Sequence, residues 1–424
     1  MADSKELTSS CFCGRSTYTF SVPTSSLPLD LRLCSCDISR RTSGTLFTSY
    51  ITVPAGNPEP DLSTLTAYES SSILTRHFCS TCGTHMFLEY RADEHFEVAS
   101  GTLQLESTDG IVDYKDHIWI EDTLDGGASQ FVTHINDKCL SRYLRKAGES
   151  EQIPVEWNHP SRPPASETEF KKEEGYTAVE LRNYIYAHCH CRGVGMYIWV
   201  PNHELATSPY PDLLIPFNLP DAEEKRQNHE DVKWFGQSRK QYKDNAYMQP
   251  TRHLAGLCAC KSCRRASGFE ITAWAFVPTS CITLDGGSNV GFQRKPFWPD
   301  MTTLKEYRSS EATTRAFCGT CGATVFCDVD RGEQKDGPWG GIIDVAVGLF
   351  ASKSGTRAEN MLAWWPNRVS FAEEALNKGL VKGLEEGMRA WAERNKGEDY
   401  VAVMEGPEWE KDNPMVQKRV GGSE

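Results

Sequence analysis

No run in this 424-residue chain is long and apolar enough to cross a membrane as a helix, and Met1 to Ser10 hold no apolar signal core. The expected address is therefore cytoplasmic, with no membrane partner. An excess of basic charge is lacking too: 45 Lys and Arg stand against 58 Asp and Glu, a formal charge of −13. Phosphate backbones and anionic membrane surfaces call for basic patches, so nucleic acid is not an expected partner. Hydrophobic residues make up 39% of the chain and the mean hydropathy is −0.49, as in an ordinary soluble protein with two or more domains. What the chain has in quantity is cysteine, 16 in all. Where no secretory leader is recognised, that number points to metal or redox chemistry rather than a disulfide framework.

The cysteines are grouped. Cys258, Cys260 and Cys263 fall within six positions, in Leu257-Cys-Ala-Cys-Lys-Ser-Cys-Arg-Arg-Ala-Ser-Gly268. Cys-x-Cys on an extended chain puts two sulfurs on one face, and a tight turn returns the third. Three converging thiolates suit zinc, and three protein ligands leave a fourth position for water or substrate, the usual mark of a catalytic site. The competing readings are a reduced cysteine cluster, or a structural site with a fourth ligand elsewhere. Cys139, Cys281 and Cys327 fall outside every motif and are expected to be buried, inert thiols.

The chain is written twice. An offset of 224 sets Cys34-Ser-Cys-Asp-Ile-Ser-Arg-Arg-Thr-Ser-Gly44 on the stretch Cys258 to Gly268, and Val53-Pro54 on Val277-Pro278. At an offset of 239, Thr75-Arg76-His77-Phe78-Cys79-Ser80-Thr81-Cys82-Gly83 falls on Thr314-Arg315-Ala316-Phe317-Cys318-Gly319-Thr320-Cys321-Gly322. Collinear matches of this kind are an internal duplication. The first repeat is expected over 9–144, a proline-bearing linker over 145–175, the second repeat over 176–395 with an insertion at 201–250, and a tail over 396–424. The insertion reads as a surface loop in preference to a lid. Strands are expected at Thr45–Val53, Met196–Val200, Glu270–Val277 and Gly341–Val347. A capping box at Ser370–Glu373 followed by Leu376, Leu380, Leu384, Met388 and Trp391 predicts a C-terminal amphipathic helix.

Each repeat has Cys-x-Cys near its start and Cys-x-x-Cys-Gly near its end. Cys11, Cys13, Cys79 and Cys82 form one four-thiolate set, and Cys189, Cys191, Cys318 and Cys321 the other. A closed four-cysteine site staples distant segments, so both read as structural zinc. The three-cysteine motif survives only in the second repeat. In the first, Cys34 and Cys36 remain as candidate metal residues, but Ser39 stands at the third position. A neutral hydroxyl is a poor zinc ligand, so this site reads as retired, with His77 or His85 as weaker candidates for a substitute ligand.

The order Cys-x-Cys, Cys-x-Cys-x-x-Cys-Arg-x-x-x-Gly, Phe-Cys-x-x-Cys-Gly resembles the glutathione-dependent formaldehyde-activating enzyme family, which includes centromere protein V. The resemblance spans both repeats. It implies two tandem Mss4-like (β-tent) zinc domains of mainly β structure, a structural role for the four-cysteine sites, and a thiol adduct such as that of glutathione at the three-cysteine zinc. By position that last role falls on Cys258, Cys260 and Cys263. Two departures stand out: Ala259 and Ser35 occupy a position that is often His in the family. Asp116-His117-Ile118-Trp119 fits a frequent family ending, whereas the second repeat has Trp364-Trp365 there.

The expected function is that of a carbon–sulfur lyase acting on a small-molecule thiol adduct of an aldehyde or related electrophile, with glutathione as possible co-substrate. Arg264 and Arg265 are candidates to bind the carboxylates of that cofactor thiol; a shared structural role is the competing reading, since Arg40 and Arg41 repeat them. His188 and His190 flank Cys189 and read as solvated histidines, His190 pointing away from the metal. The alternative function is a non-catalytic, zinc-scaffolded interaction module, with Trp364 and Trp365 as candidate anchors. The oligomeric state is not legible.

Overall fold

The computed structural model describes residues 3–161, 184–199, 252–284, 301, 303–329 and 342–396. The insertion 201–250, the rest of the linker and nearly all of the tail lie outside the described residues. The chain is mainly β. In the first repeat a hairpin pairs Ser4–Ser10 with Thr17–Pro23. Five antiparallel strands follow in the order Tyr50–Thr52, Phe96–Ala99, His85–Tyr90, Leu74–Cys79, Leu65–Glu69. The strand Leu29–Cys34 pairs in parallel with Val112–Ile118, and Cys34 makes one bridge to Thr48, just ahead of the larger sheet's strand Tyr50–Thr52.

The second repeat repeats this plan. Tyr184–His188 pairs with Gly195–Trp199, and seven strands form one sheet: Leu304–Ser310, Thr313–Cys318, Thr324–Val329, Ile342–Ala346, Thr272–Pro278, His253–Cys258 and Leu362–Ser370. The last two again run parallel. Expected strands are present with shifted ends, except that Thr45–Val53 shortens to Tyr50–Thr52 because Thr45 and Thr48 bond locally and to Cys34. His117 pairs in register with Leu33, and Val369 with Leu257, so Val369 and not Trp364 is its counterpart in the parallel pair.

Three α-helices are described. Helices α1 (Asp37–Ser43) and α2 (Lys261–Ser267) each follow a Cys-x-Cys whose second cysteine is the N-cap. Helix α3 (Lys378–Lys396) carries Leu380, Leu384, Met388 and Trp391, all buried. It starts later than the capping box suggests. Ser370 ends a strand, Phe371 turns the chain through a left-handed conformation, and the Asn377 side chain caps the helix by accepting from Leu380 N at 2.8 Å. Residues 145–161 fold back on the first repeat, with Ile153 buried and His159 N donating to Leu124 O at 2.8 Å.

The repeats face each other about a pseudo-two-fold axis. Gly101 N donates to Gly268 O at 2.9 Å, and its counterpart Gly348 N donates to Gly44 O at 3.0 Å. Phe78 and Phe317, the same residue in each copy, meet edge to face at 6.5 Å. Such reciprocity is the signature of an isologous interface, here formed within one chain. A Cβ on Gly268, at φ +89, would overlap His85 O, and one on Gly44, at φ +78, would overlap Thr324 O. Glycine at these two helix ends therefore serves both the left-handed cap and the close approach of the repeats.

Candidate metal centres

Two tight turns build each four-cysteine group. Cys11 and Cys13 occupy the loop of the first hairpin, while Cys79 ends a strand and Cys82 lies in the turn that follows. Gly83, at φ +78, lets the turn close, with its N–H on Cys79 O at 2.9 Å. The sulfurs of Cys11 and Cys13 are 3.5 Å apart, and those of Cys13 and Cys79 3.6 Å. Ser16 N donates to Cys11 Sγ at 3.3 Å, as amides around a thiolate site should. In the second repeat, Cys189–Cys191 and Cys191–Cys318 are each 3.5 Å apart, with Val194 N on Cys189 Sγ at 3.3 Å. Each set of four lies within 4.8 Å throughout. Sulfurs at about 2.3 Å from a tetrahedral ion are about 3.8 Å apart, so the cages suit an ion of zinc's size.

The third group is Cys258, Cys260 and Cys263, also within 4.8 Å of one another. Cys258 ends a strand, Cys260 caps α2, and Cys263 in its first turn donates its N–H to Cys260 Sγ at 3.2 Å. The return that joins the third sulfur to the other two is thus a helical turn. Cys258 and Cys263 are buried and Cys260 is half-buried, which puts the accessible side of the cluster at Cys260. Among the described residues no fourth cysteine, histidine or carboxylate joins the three. The neighbouring Cys258 and Cys260 sulfurs, with Arg315, hold the Cys263 thiol well below its usual range.

Arg315 is the residue that sequence reasoning missed. Buried beneath the cluster, it donates from Nη1 and Nη2 to Cys263 Sγ at 3.7 and 3.6 Å. One guanidinium offsets the −1 charge that three thiolates leave on a divalent ion. A signal was present: Thr-Arg recurs in both copies, as Thr75-Arg76 and Thr314-Arg315. In the first repeat Arg76 holds the same place, but donates to Ser39 Oγ at 3.1 Å and to Tyr50 Oη at 2.7 Å. Cys34 Sγ lies 3.5 Å from Ser39 Oγ. Among the described residues, Cys34 and Cys36 belong to no group of three or more metal-binding side chains. His77 binds Glu89 at 2.6 Å and His85 binds Thr42 O at 2.8 Å.

Arg264 donates from Nη1 to Gly101 O at 2.5 Å and to Leu103 O at 3.2 Å; Arg265 donates to Cys11 O at 3.0 Å. Both thus reach main-chain oxygens of the first repeat. His188 is buried with Nδ1 on Cys189 O, and His190 lies 2.6 Å from Tyr68 Oη across the interface, so neither is a freely solvated side chain. Cys281 and Cys327 are buried as expected, but Cys139 is exposed, because its two-residue strand lies on the surface with both side chains outward. Trp364 is a core residue whose Nε1 donates to Arg357 O at 2.8 Å; Trp365 is half-buried beneath Arg368. No described helix is long and apolar enough to cross a membrane.

The sequence model of one family, described as glutathione-dependent formaldehyde-activating enzyme, matches residues 6–122 and again 243–366, together more than half of the chain. The second match begins after Cys189 and Cys191, yet the fold brings those two sulfurs to Cys318 and Cys321. No curated protein matches the chain.

Proposed function

Because the chain belongs to the glutathione-dependent formaldehyde-activating enzyme family, we propose that its second repeat is a zinc-dependent carbon–sulfur lyase. Its substrate is an adduct of a thiol, glutathione by expectation, with an aldehyde or related electrophile. The observation that carries this reading is the three-sulfur cluster of Cys258, Cys260 and Cys263, backed by Arg315 and joined by no fourth side-chain ligand among the described residues. Zinc held there would supply a Lewis acid and favour the thiolate form of a bound thiol. In the lyase direction the carbon–sulfur bond breaks and sulfur leaves with the electron pair. The adduct's hydroxyl loses its proton to solvent as the carbonyl forms. The reverse direction joins the same thiol and aldehyde.

The chain's own groups have distinct parts in this scheme. Cys258 and Cys263, buried, fix two corners of the ligand set, and half-buried Cys260 borders the side from which substrate arrives. Arg315 stabilises the anionic cluster from beneath. Of the two arginines after Cys263, Arg264 is buried and tied to the first repeat, while half-buried Arg265 keeps a face for a substrate carboxylate. Cys263→Ser should remove one metal of about three per chain and abolish turnover of glutathione–aldehyde adducts, with unfolding still cooperative. Elemental analysis beside a turnover assay decides it. Unchanged turnover of every adduct tested would falsify the enzyme reading, and a wild-type protein without thiol-dependent chemistry would favour the interaction module.

A further inference from the structure

The four-cysteine site of the first repeat and the three-cysteine cluster of the second are joined by a short series of contacts. In the first repeat, Cys82 Sγ lies 3.2 Å from Thr84 Oγ1, which accepts from Phe12 N at 3.1 Å and donates to Arg265 O at 2.7 Å. Arg265 returns a bond to Cys11 O at 3.0 Å. The side chain of Phe12, the middle residue of Cys11-Phe12-Cys13, extends out of its own repeat. It meets Tyr307 edge to face at 5.7 Å, and the guanidinium groups of Arg265 and Arg315 lie 5.5 and 5.9 Å from its ring centre. Arg315 is the cation on Cys263 Sγ. The mirror position holds His190, bonded to Tyr68 on the side of the serine-substituted cluster. Both mirror positions thus place a ring edge to face on a tyrosine at 5.7 Å, but the ring is an ionisable imidazole beside the serine-substituted cluster and a phenyl where the third cysteine persists.

We infer that the first repeat completes the second repeat's three-cysteine site: Phe12 is a positioning residue that acts through Arg315 and Arg265, fixing the charge next to Cys263. This rests on the reading of that cluster as the reactive centre, and it gives the repeat with the retired cluster a present task. A ring face between two cations holds both by its quadrupole, and truncating it frees them to move away from sulfur. The thiolates then carry more uncompensated charge, which alters the field at any ion they bind.

The test uses the full chain loaded with Co²⁺ in place of the native ion, because thiolate-to-cobalt absorption reports on sulfur charge without any substrate. The contribution of the three-cysteine cluster is isolated as the difference between each protein and its Cys263→Ser partner. Phe12→Leu should shift that difference spectrum. It should raise the glutathione concentration that gives half the spectral change roughly tenfold, the scale of a buried cation–π contact. Phe12→Tyr, which keeps the ring, should restore both, and Tyr68→Phe, beside the mirror residue His190, should leave them unchanged. If Phe12→Leu fails to fold, Phe12→Met provides the same comparison. Cobalt spectra that coincide with the wild type in folded Phe12→Leu or Phe12→Met overturn the inference. A wild type that gives no glutathione response, while Phe12→Leu still shifts the cobalt spectrum, overturns the thiol-substrate reading and keeps the coupling.

Discussion

Glu270 is buried where the repeats meet, 2.6 Å from the hydroxyl of Tyr114, which donates to it. Burial pushes its carboxyl up to about 7, against an ordinary value near 4.5. A raised acid binds its proton more tightly when folded. Its stabilisation is therefore complete below the unfolded value and is lost as pH rises from about 4.5 through about 7. Glu270→Gln should flatten that loss, leaving the variant more stable than the wild type at pH 8 by a difference on the order of 3 kcal/mol. Urea unfolding at pH 5.5 and pH 8 with zinc in excess checks it, and parallel losses would refute it. His85, His117 and His253 have the opposite sign: burial holds them down to about 3, about 3 and about 4, so they stay neutral in the fold and cost stability as pH falls below about 6.5.

Helix α3 shows how an element at one end of the chain is held by the other repeat. Gly379, Gly383 and Gly387 recur every four residues along one face, and the segment 131–136 lies against it, by backbone at Gly383 and Gly387 and by the Asn136 side chain at Gly379. A Cβ at Gly383 would overlap His134 O, and at Gly387 it would overlap Phe131 O. Trp391 packs edge to face on Phe131 at 5.0 Å. In a free helix, Gly→Ala stabilises by up to about 1 kcal/mol, so the sign of the effect is diagnostic. Gly383→Ala should destabilise by about 1–3 kcal/mol, because the obstructing atom is backbone and has no rotamer by which to yield. Gly379→Ala should cost less, since the neighbour there is the rotatable amide of Asn136. Thermal melts of the two variants side by side give the comparison.

For the whole molecule, the four-cysteine sites are the long-range staples. Cys189 and Cys191 sit in a hairpin that meets Cys318 and Cys321 across more than a hundred residues of chain. Cys318→Ser should lose its metal and the cooperative unfolding of the second repeat, in contrast to Cys263→Ser, because a structural metal's binding energy is folding energy. Denaturant melts monitored by intrinsic Trp fluorescence, with metal content measured alongside, separate the two. The pseudo-two-fold interface links the repeats in both directions, so a lesion in one staple is expected to be felt in the other repeat as well. Arg41 illustrates the link: it donates to His188 O at 3.2 Å and Leu349 O at 2.9 Å, in the opposite repeat.

The sequence alone determined the duplication, the mainly β repeats, the membership of both four-cysteine sets and the three-cysteine cluster. Ligand spacing is written in the order of residues, and a second copy confirms each motif. Local chemistry was also legible, as at Ser39, where a hydroxyl replaces a sulfur. Tertiary structure decided what local chemistry does not encode: that Arg315 lies beneath Cys263, that Arg264 and Arg265 reach into the first repeat, and that Phe12 crosses to the second. Helices α1 and α2, at seven residues too short to show a period, and the true start of α3, set by the Asn377 cap, were likewise decided by packing and capping. The physical reason is common to all of these. Spacing along a chain records which side chains a turn can gather, whereas a contact across an interface depends on how two folded surfaces meet.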